Sequence, residues 1–159
     1  MGDDQVAKDL QQLVDLEEIR QLKARCSRSV DTKDWDGYAA CLTEDTVLDS
    51  GGGVKEGRDT VLAMVTKSLA EAVTIHQVGA PEITFTGPDT ADGIWTVFDY
   101  VSIPMAAGPY VFRGYGHYHE QYVRTGEGWR IRSSKLTRLR VDPEPATSAG
   151  APAQQQEER

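Results

Sequence analysis

Histidine and cysteine are scarce, with three of the first and two of the second in 159 residues. Two cysteines, Cys26 and Cys41, both on helical faces, make neither a zinc site nor a disulfide framework. They read as buried thiols. No apolar run approaches the roughly 20 residues that cross a bilayer. The start, Met1-Gly2-Asp3-Asp4, is acidic and has no apolar h-region, so no secretory signal is expected there. Val6 stands where a myristoylation signal needs Ser or Thr. A cytoplasmic protein is the expectation. Basic residues are outnumbered 17 to 25, giving a net charge of -8. That excludes a basic nucleic-acid face and adhesion to anionic membranes. No metal, nucleotide or flavin motif occurs, so no cofactor is expected.

What is present is an ordinary globular composition, 39% hydrophobic and 26% charged, long enough for one core. From Asp15, Leu16, Ile19, Leu22, Cys26 and Val30 recur at helical steps. Asp15, with Glu18 three residues on, reads as the cap of that helix. A second short helix is expected from Asp34, its cap, to Leu42. A third starts near Asp59 and turns Val61, Leu62, Val65 and Leu69 inward. Thr46–Ser50 reads as a short strand ended by three glycines. Further strands are expected at Val73–Val78, Glu82–Thr86, Ala91–Ile103, Tyr110–Arg124 and Trp129–Val141, separated by Gly- and Pro-containing turns. Residues 1–141 then form one domain, and 142–159, rich in Pro, Ala, Gln and Glu, form a disordered tail. Helices first and a long meander after them predict an α+β fold, a curved sheet wrapped around the helices with an open, ligand-sized mouth.

Strand alternation places polar residues on apolar faces. Asp99 shares a face with Trp95, Val97, Val101 and Ile103. A carboxylate there needs a partner, either an arginine such as Arg138 or a ligand. In Tyr110–Arg124, Gly114, Gly116, Tyr118 and Tyr122 share one face. The glycines leave room, or mark a bend, and Tyr118 stands beside that room. Tyr115, His117, His119 and Gln121 face the other way, toward solvent or a subunit interface. His76 shares a face with Thr74 and Val78, and Asp31 follows the first helix. Nothing local ties those two together.

The segment Val30-Asp31-Thr32-Lys33-Asp34-Trp35-Asp36 resembles the helix-end motif of scytalone dehydratases. Its surroundings are similar to bacterial bile-acid dehydratases: Asp15-Leu16-Glu17-Glu18-Ile19-Arg20-Gln21-Leu22-Lys23-Ala24, then Pro81-Glu82-Ile83-Thr84, then Gly128-Trp129-Arg130-Ile131. The likeness spans roughly residues 13–141. It points to the SnoaL-like branch of the nuclear transport factor 2-like superfamily, to which lindane dehydrochlorinase also belongs. It implies a cone fold in which Asp31 orients His76 as a catalytic base. Asp99 and Arg138 match a pocket carboxylate and an arginine. In two places the chain departs from that pattern. Cys26 stands where the dehydratases have a helix-one tyrosine, and the second pocket histidine is missing. Tyr118 is the candidate to supply the lost hydroxyl.

The resulting expectation is a cofactor-free lyase, a dehydratase or a proton-shuttling isomerase. Its substrate would be a hydrophobic small molecule of polyketide or steroid type. Asp31 and His76 are the catalytic candidates, with Asp99, Tyr118, Arg138 and Trp95 binding or supporting. The alternatives are a SnoaL-like polyketide cyclase and a non-catalytic small-molecule-binding cup. The amphipathic outer face and the resemblance together imply a homo-oligomer, a trimer or, as the second choice, a dimer.

Overall fold

A computed structural model describes residues 2–144. Three helices precede or interrupt a six-stranded sheet: α1 (Gly2–Asp31), α2 (Trp35–Ala39), β1 (Leu42–Asp49), β2 (Val54–Glu56), α3 (Arg58–Leu69), β3 (Val73–Gly87), β4 (Thr90–Ile103), β5 (Tyr110–Thr125) and β6 (Gly128–Pro143). The strand order is β2-β1-β6-β5-β4-β3. Only β1 and β6 run parallel; every other pair is antiparallel. The sheet is mixed and unclosed, and with its helices it is the expected α+β cone of the nuclear transport factor 2-like fold.

The core lies where α1 and α3 meet the sheet. Ile19, Leu22, Cys26 and Val30 pack with Val61, Val65, Trp95, Tyr122, Trp129 and Ile131. Both cysteines are buried and unbridged. The inward set of α1 repeats every three to four residues from Asp15 to Val30 and includes two charged groups, Asp15 and Lys23.

The first helix departs from expectation at its start. It begins at Gly2, and Asp15 lies mid-helix rather than at a cap. Residues 7–14 contain Ala, Lys, Leu and Gln, good helix formers, so the helix extends past its buried stripe. Asp3 and Asp4 complement its positive end. Buried Asp15 instead accepts from Arg124 Nη2 at 2.6 Å, Gln11 Nε2 at 3.0 Å and Trp129 Nε1 at 3.3 Å.

Other boundaries also move. The second helix stops at Ala39, and Leu42 opens β1 instead. Asp34 does cap it, accepting from Gly37 N–H at 2.9 Å. β2 was not expected; Gly51 and Gly53, at φ 91° and 97°, turn the chain back onto β1. The two strands expected at 73–78 and 82–86 are one strand, β3, with a register shift between Val78 and Pro81. Proline removes a donor, but β3 is an edge strand and a bulge absorbs the loss. β6 runs to Pro143, two residues past the expected domain end; residues 145–159 of the expected tail lie outside the described residues. No helix among the described residues is long and apolar enough to cross a membrane.

Candidate active site

The end of α1 fixes the first group. After Asp31 the chain reverses, with Lys33 at φ 62°, and the Asp31 carboxylate meets β3. It accepts from the His76 backbone N–H at 2.8 Å and from the Thr74 hydroxyl at 2.9 Å. Its Oδ1 lies 2.6 Å from His76 Nδ1. An ionised carboxylate offers only acceptors, so Nδ1 carries a proton, and in the neutral imidazole Nε2 then holds the lone pair. Partial burial alone would raise the Asp31 pKa. The bonds from His76 and Thr74, with the attraction of His76, bring it below the ordinary carboxylate value. Lys33 Nζ donates to Thr74 Oγ1 at 3.1 Å, extending the chain of contacts. Burial lowers the Lys33 pKa against the pull of Asp31.

His76 lines a cavity of about 420 Å³ inside the cone, together with Asp99, Tyr118 and Arg138; Asp31 stands behind it, outside the lining. The walls are mostly apolar, with Val30, Leu42, Val61, Val65 and Ile131 among them. His76 of β3 pairs in register with Asp99 of β4, and Asp99 with Gly114 of β5. Asp99 and Arg138 form a two-pronged pair, Nη1–Oδ1 2.8 Å and Nη2–Oδ2 2.7 Å.

Gly114 exists for that pair. A Cβ there would lie 2.1 Å from both Arg138 Nη1 and Asp99 Oδ1. Gly116 sits at the β5–β6 register shift, where a Cβ would meet the Thr137 carbonyl at 2.0 Å. The room expected beside Tyr118 from these two glycines is therefore filled, by an ion pair at one and by backbone at the other. Tyr118 meets the cavity directly. Burial, then the charges of Asp99 and Glu120, push its phenol well above the ordinary value, so it remains a hydrogen-bond donor. Trp95 does not line the cavity. Its indole donates to Tyr122 Oη at 2.6 Å, and any support it gives is indirect.

Two cavity groups escaped sequence reasoning. Lys23 of α1 and Glu120 of β5 both line the cavity and pair at 2.6 Å, with side chains 4% and 1% exposed. The signal was available: Lys23 falls on the Ile19–Cys26 stripe, and Glu120 shares the face of Tyr118 and Tyr122. Among the described residues, no cluster of three or more His, Cys, Asp or Glu side chains is placed to hold a metal.

A family model described as a SnoaL-like domain matches residues 11–135. The probable cyclase FGR4 of Gibberella zeae is 25% identical over 134 residues, covering 76% of this chain and 89% of that one. Among solved structures, a type 2 hexachlorocyclohexane dehydrochlorinase (LinA) superposes with a TM-score of 0.79 at 20% identity, covering 91% of this chain and 99% of that one. A "putative scytalone dehydratase" of Novosphingobium aromaticivorans superposes at 0.74 and 18% identity, covering 87% and 97%. The two structures speak for the fold alone. The family match covers most of the domain, and the chain belongs to the SnoaL-like family.

Proposed function

We propose that this protein is a cofactor-free lyase acting on a hydrophobic ring compound, a dehydratase or a closely related isomerase, with His76 as base. The observation that carries this reading is the 2.6 Å Asp31–His76 contact on the wall of an apolar cavity. Asp31 fixes the tautomer that leaves Nε2 basic and stabilises the imidazolium formed when it takes a proton. The proton comes from a carbon next to a carbonyl. The C–H pair moves into the enolate, then forms the C=C bond as the β C–O bond breaks. Asp99 is held on both oxygens by Arg138 and serves as a fixed charge rather than an acid. Tyr118 donates a hydrogen bond to the developing oxyanion. A phenol shifted upward surrenders its proton less readily than an imidazolium. The proton taken by His76 is therefore the one that leaves with hydroxide, as water, and the base is reset. In an isomerase the same proton returns to another carbon.

The cyclase relative supports a second reading. There the enolate carbon attacks a second carbonyl of the same molecule, and mass is conserved. Incubation with cyclic β-hydroxy ketones, and with open-chain diketones for the cyclase, separates these readings. Loss of one water is expected for the lyase, and unchanged mass with altered retention for the isomerase or cyclase. Binding without turnover across such a panel would leave only the cup.

The outer sheet face supports a homo-oligomer, a trimer or else a dimer. Tyr115 and His117 are half-buried there, and Ile75 and Ile94 are 46% and 39% exposed, more apolar surface than a solvated face needs. Light scattering at neutral pH checks this, and a monomer would defeat it.

A further inference from the structure

The cavity has two polar ends. At the first, His76 and Arg138 keep partial contact with solvent, their side chains being 13% and 27% exposed, and Arg138 covers a buried Asp99. At the second, Lys23 and Glu120 are almost sealed. Lys23 precedes Asp31 on α1 by just over two turns, about 12 Å along the axis. On the facing strand, Glu120 lies six residues beyond Gly114, the register partner of Asp99, about 20 Å along the strand. Lys23 and Glu120 therefore both stand well along their elements from the outer groups.

The chemistry of the inner end is asymmetric. Both oxygens of Glu120 are engaged: Oε1 accepts from Lys23 at 2.6 Å and from Ser134 Oγ at 2.9 Å, and Oε2 accepts from Tyr122 Oη at 2.5 Å. Tyr122 is held in turn by the Trp95 indole. Lys23 is not saturated. An ammonium has three N–H donors. One goes to Glu120, and the Tyr118 ring lies beneath the nitrogen at 3.7 Å from its centroid. Among the described residues no further hydrogen-bond acceptor meets Lys23. Removing two charges from water is costly, and apolar replacements of such pairs are often as stable or more so. A sealed pair on a cavity wall therefore needs a reason other than stability.

We propose that Lys23, anchored by Glu120, binds an oxygen of the ligand at the inner end of the cavity, so that substrates carry a second oxygen function at the far side of an apolar ring system. This deepens the lyase reading and rests on it for the position of the reacting carbon, near His76. Glu120 is a positioning residue: it holds the ammonium against the Tyr118 ring. The ligand class is a fused-ring or similarly long ketone or phenol that carries its second oxygen on the side of the ring system away from the reacting carbon.

The test is a binding comparison with two probes of similar size, 2-acetylnaphthalene and 2-isopropylnaphthalene. They differ in replacing a carbonyl oxygen by a methyl group and a hydrogen. The variant is Lys23→Met with Glu120→Gln, which removes both charges at once and leaves no buried ion unpaired; circular dichroism and thermal melting establish that it folds. Hydrogen bonds to a buried charge are worth about tenfold or more in affinity. The double variant should bind the acetyl probe at least about tenfold more weakly and the isopropyl probe within about twofold of wild type. Parallel changes for both probes, an unchanged acetyl affinity, or a wild type that binds neither probe would overturn the proposal. Should the double variant not fold, Lys23→Arg and Lys23→Gln decide: the first keeps the charge and should retain the preference for the acetyl over the isopropyl probe, the second removes the charge and should weaken it, and the opposite result in either folded protein overturns the proposal. His76→Ala should keep the same probe preference. Its turnover reports on the base separately, so failure of the lyase reading is distinguishable from failure of this one.

Discussion

Two polar ends of one cavity are built from similar parts and carry different loads. At the outer end Asp31 and His76 are 23% and 13% exposed, and at the inner end Lys23 and Glu120 are 4% and 1% exposed. Water still reaches the outer pair, so its groups can exchange protons and its loss leaves no stranded charge. The inner pair is sealed, so each partner depends on the other to remain ionised in the core. Chemistry belongs at the outer end in this reading, and stability is tied to the inner one.

The largest effect that would sharpen this contrast is kinetic. Once a turnover assay exists, His76→Ala should lower kcat by about 10²–10⁴-fold, the range of a positioned general base. Asp31→Asn should lower kcat less while leaving KM within a few-fold, because the amide no longer fixes the tautomer but still fills the space. Full activity in His76→Ala would break the comparison at its outer end.

The next effect is thermodynamic and runs the other way. Removing one member of a buried ion pair costs about 3–5 kcal/mol. Lys23→Met or Glu120→Leu alone should destabilise by about that much in urea unfolding, whereas His76→Ala should cost about 1 kcal/mol. The Lys23→Met, Glu120→Gln double variant should recover most of the loss. If the singles and the double lose equal stability, the pair is not the coupled unit its geometry describes.

How far the sequence reveals these two ends follows from local periodicity. Alternation along β4 places Asp99 inside, and alternation along β5 places Tyr118 with Gly114, because both strands keep regular register there. The extent of α1 before Asp15 is illegible to a search for buried stripes, since residues 2–14 are all exposed and only intrinsic propensity makes them helical. The single β3 is illegible because Gly79-Ala80-Pro81 carries turn chemistry that an edge-strand bulge absorbs. Asp31 and His76 stand 45 residues apart; family likeness, not any local pattern, pairs them. Lys23 and Glu120 were legible in principle, each on an apolar face. A charged residue on such a face is normally assigned to solvent, and no local feature names its partner 97 residues away.

The smallest effect concerns acid, and it compares the cavity with the middle of α1. Asp31 and Asp15 both have folded pKa values below the ordinary carboxylate value. For Asp15, burial works upward first, and Arg124, Gln11 and Trp129 outweigh it. A depressed folded pKa means the unfolded chain binds the proton more readily. The stabilisation is therefore present in full above the unfolded value, about pH 4, and is lost as pH falls through the folded value. Thermal melting followed downward from pH 6 should show a falling midpoint below about pH 4. Asp15→Asn and Asp31→Asn should each start lower at pH 6 and fall less steeply. Asp15 is the cleaner case, because Arg124, its strongest partner, stays charged across the whole window, whereas the partner of Asp31 is itself an imidazole. An Asp15→Asn protein with the wild-type slope would mean that the Arg124 bond does not distinguish the folded carboxylate from the unfolded one, and that acid acts on the molecule elsewhere.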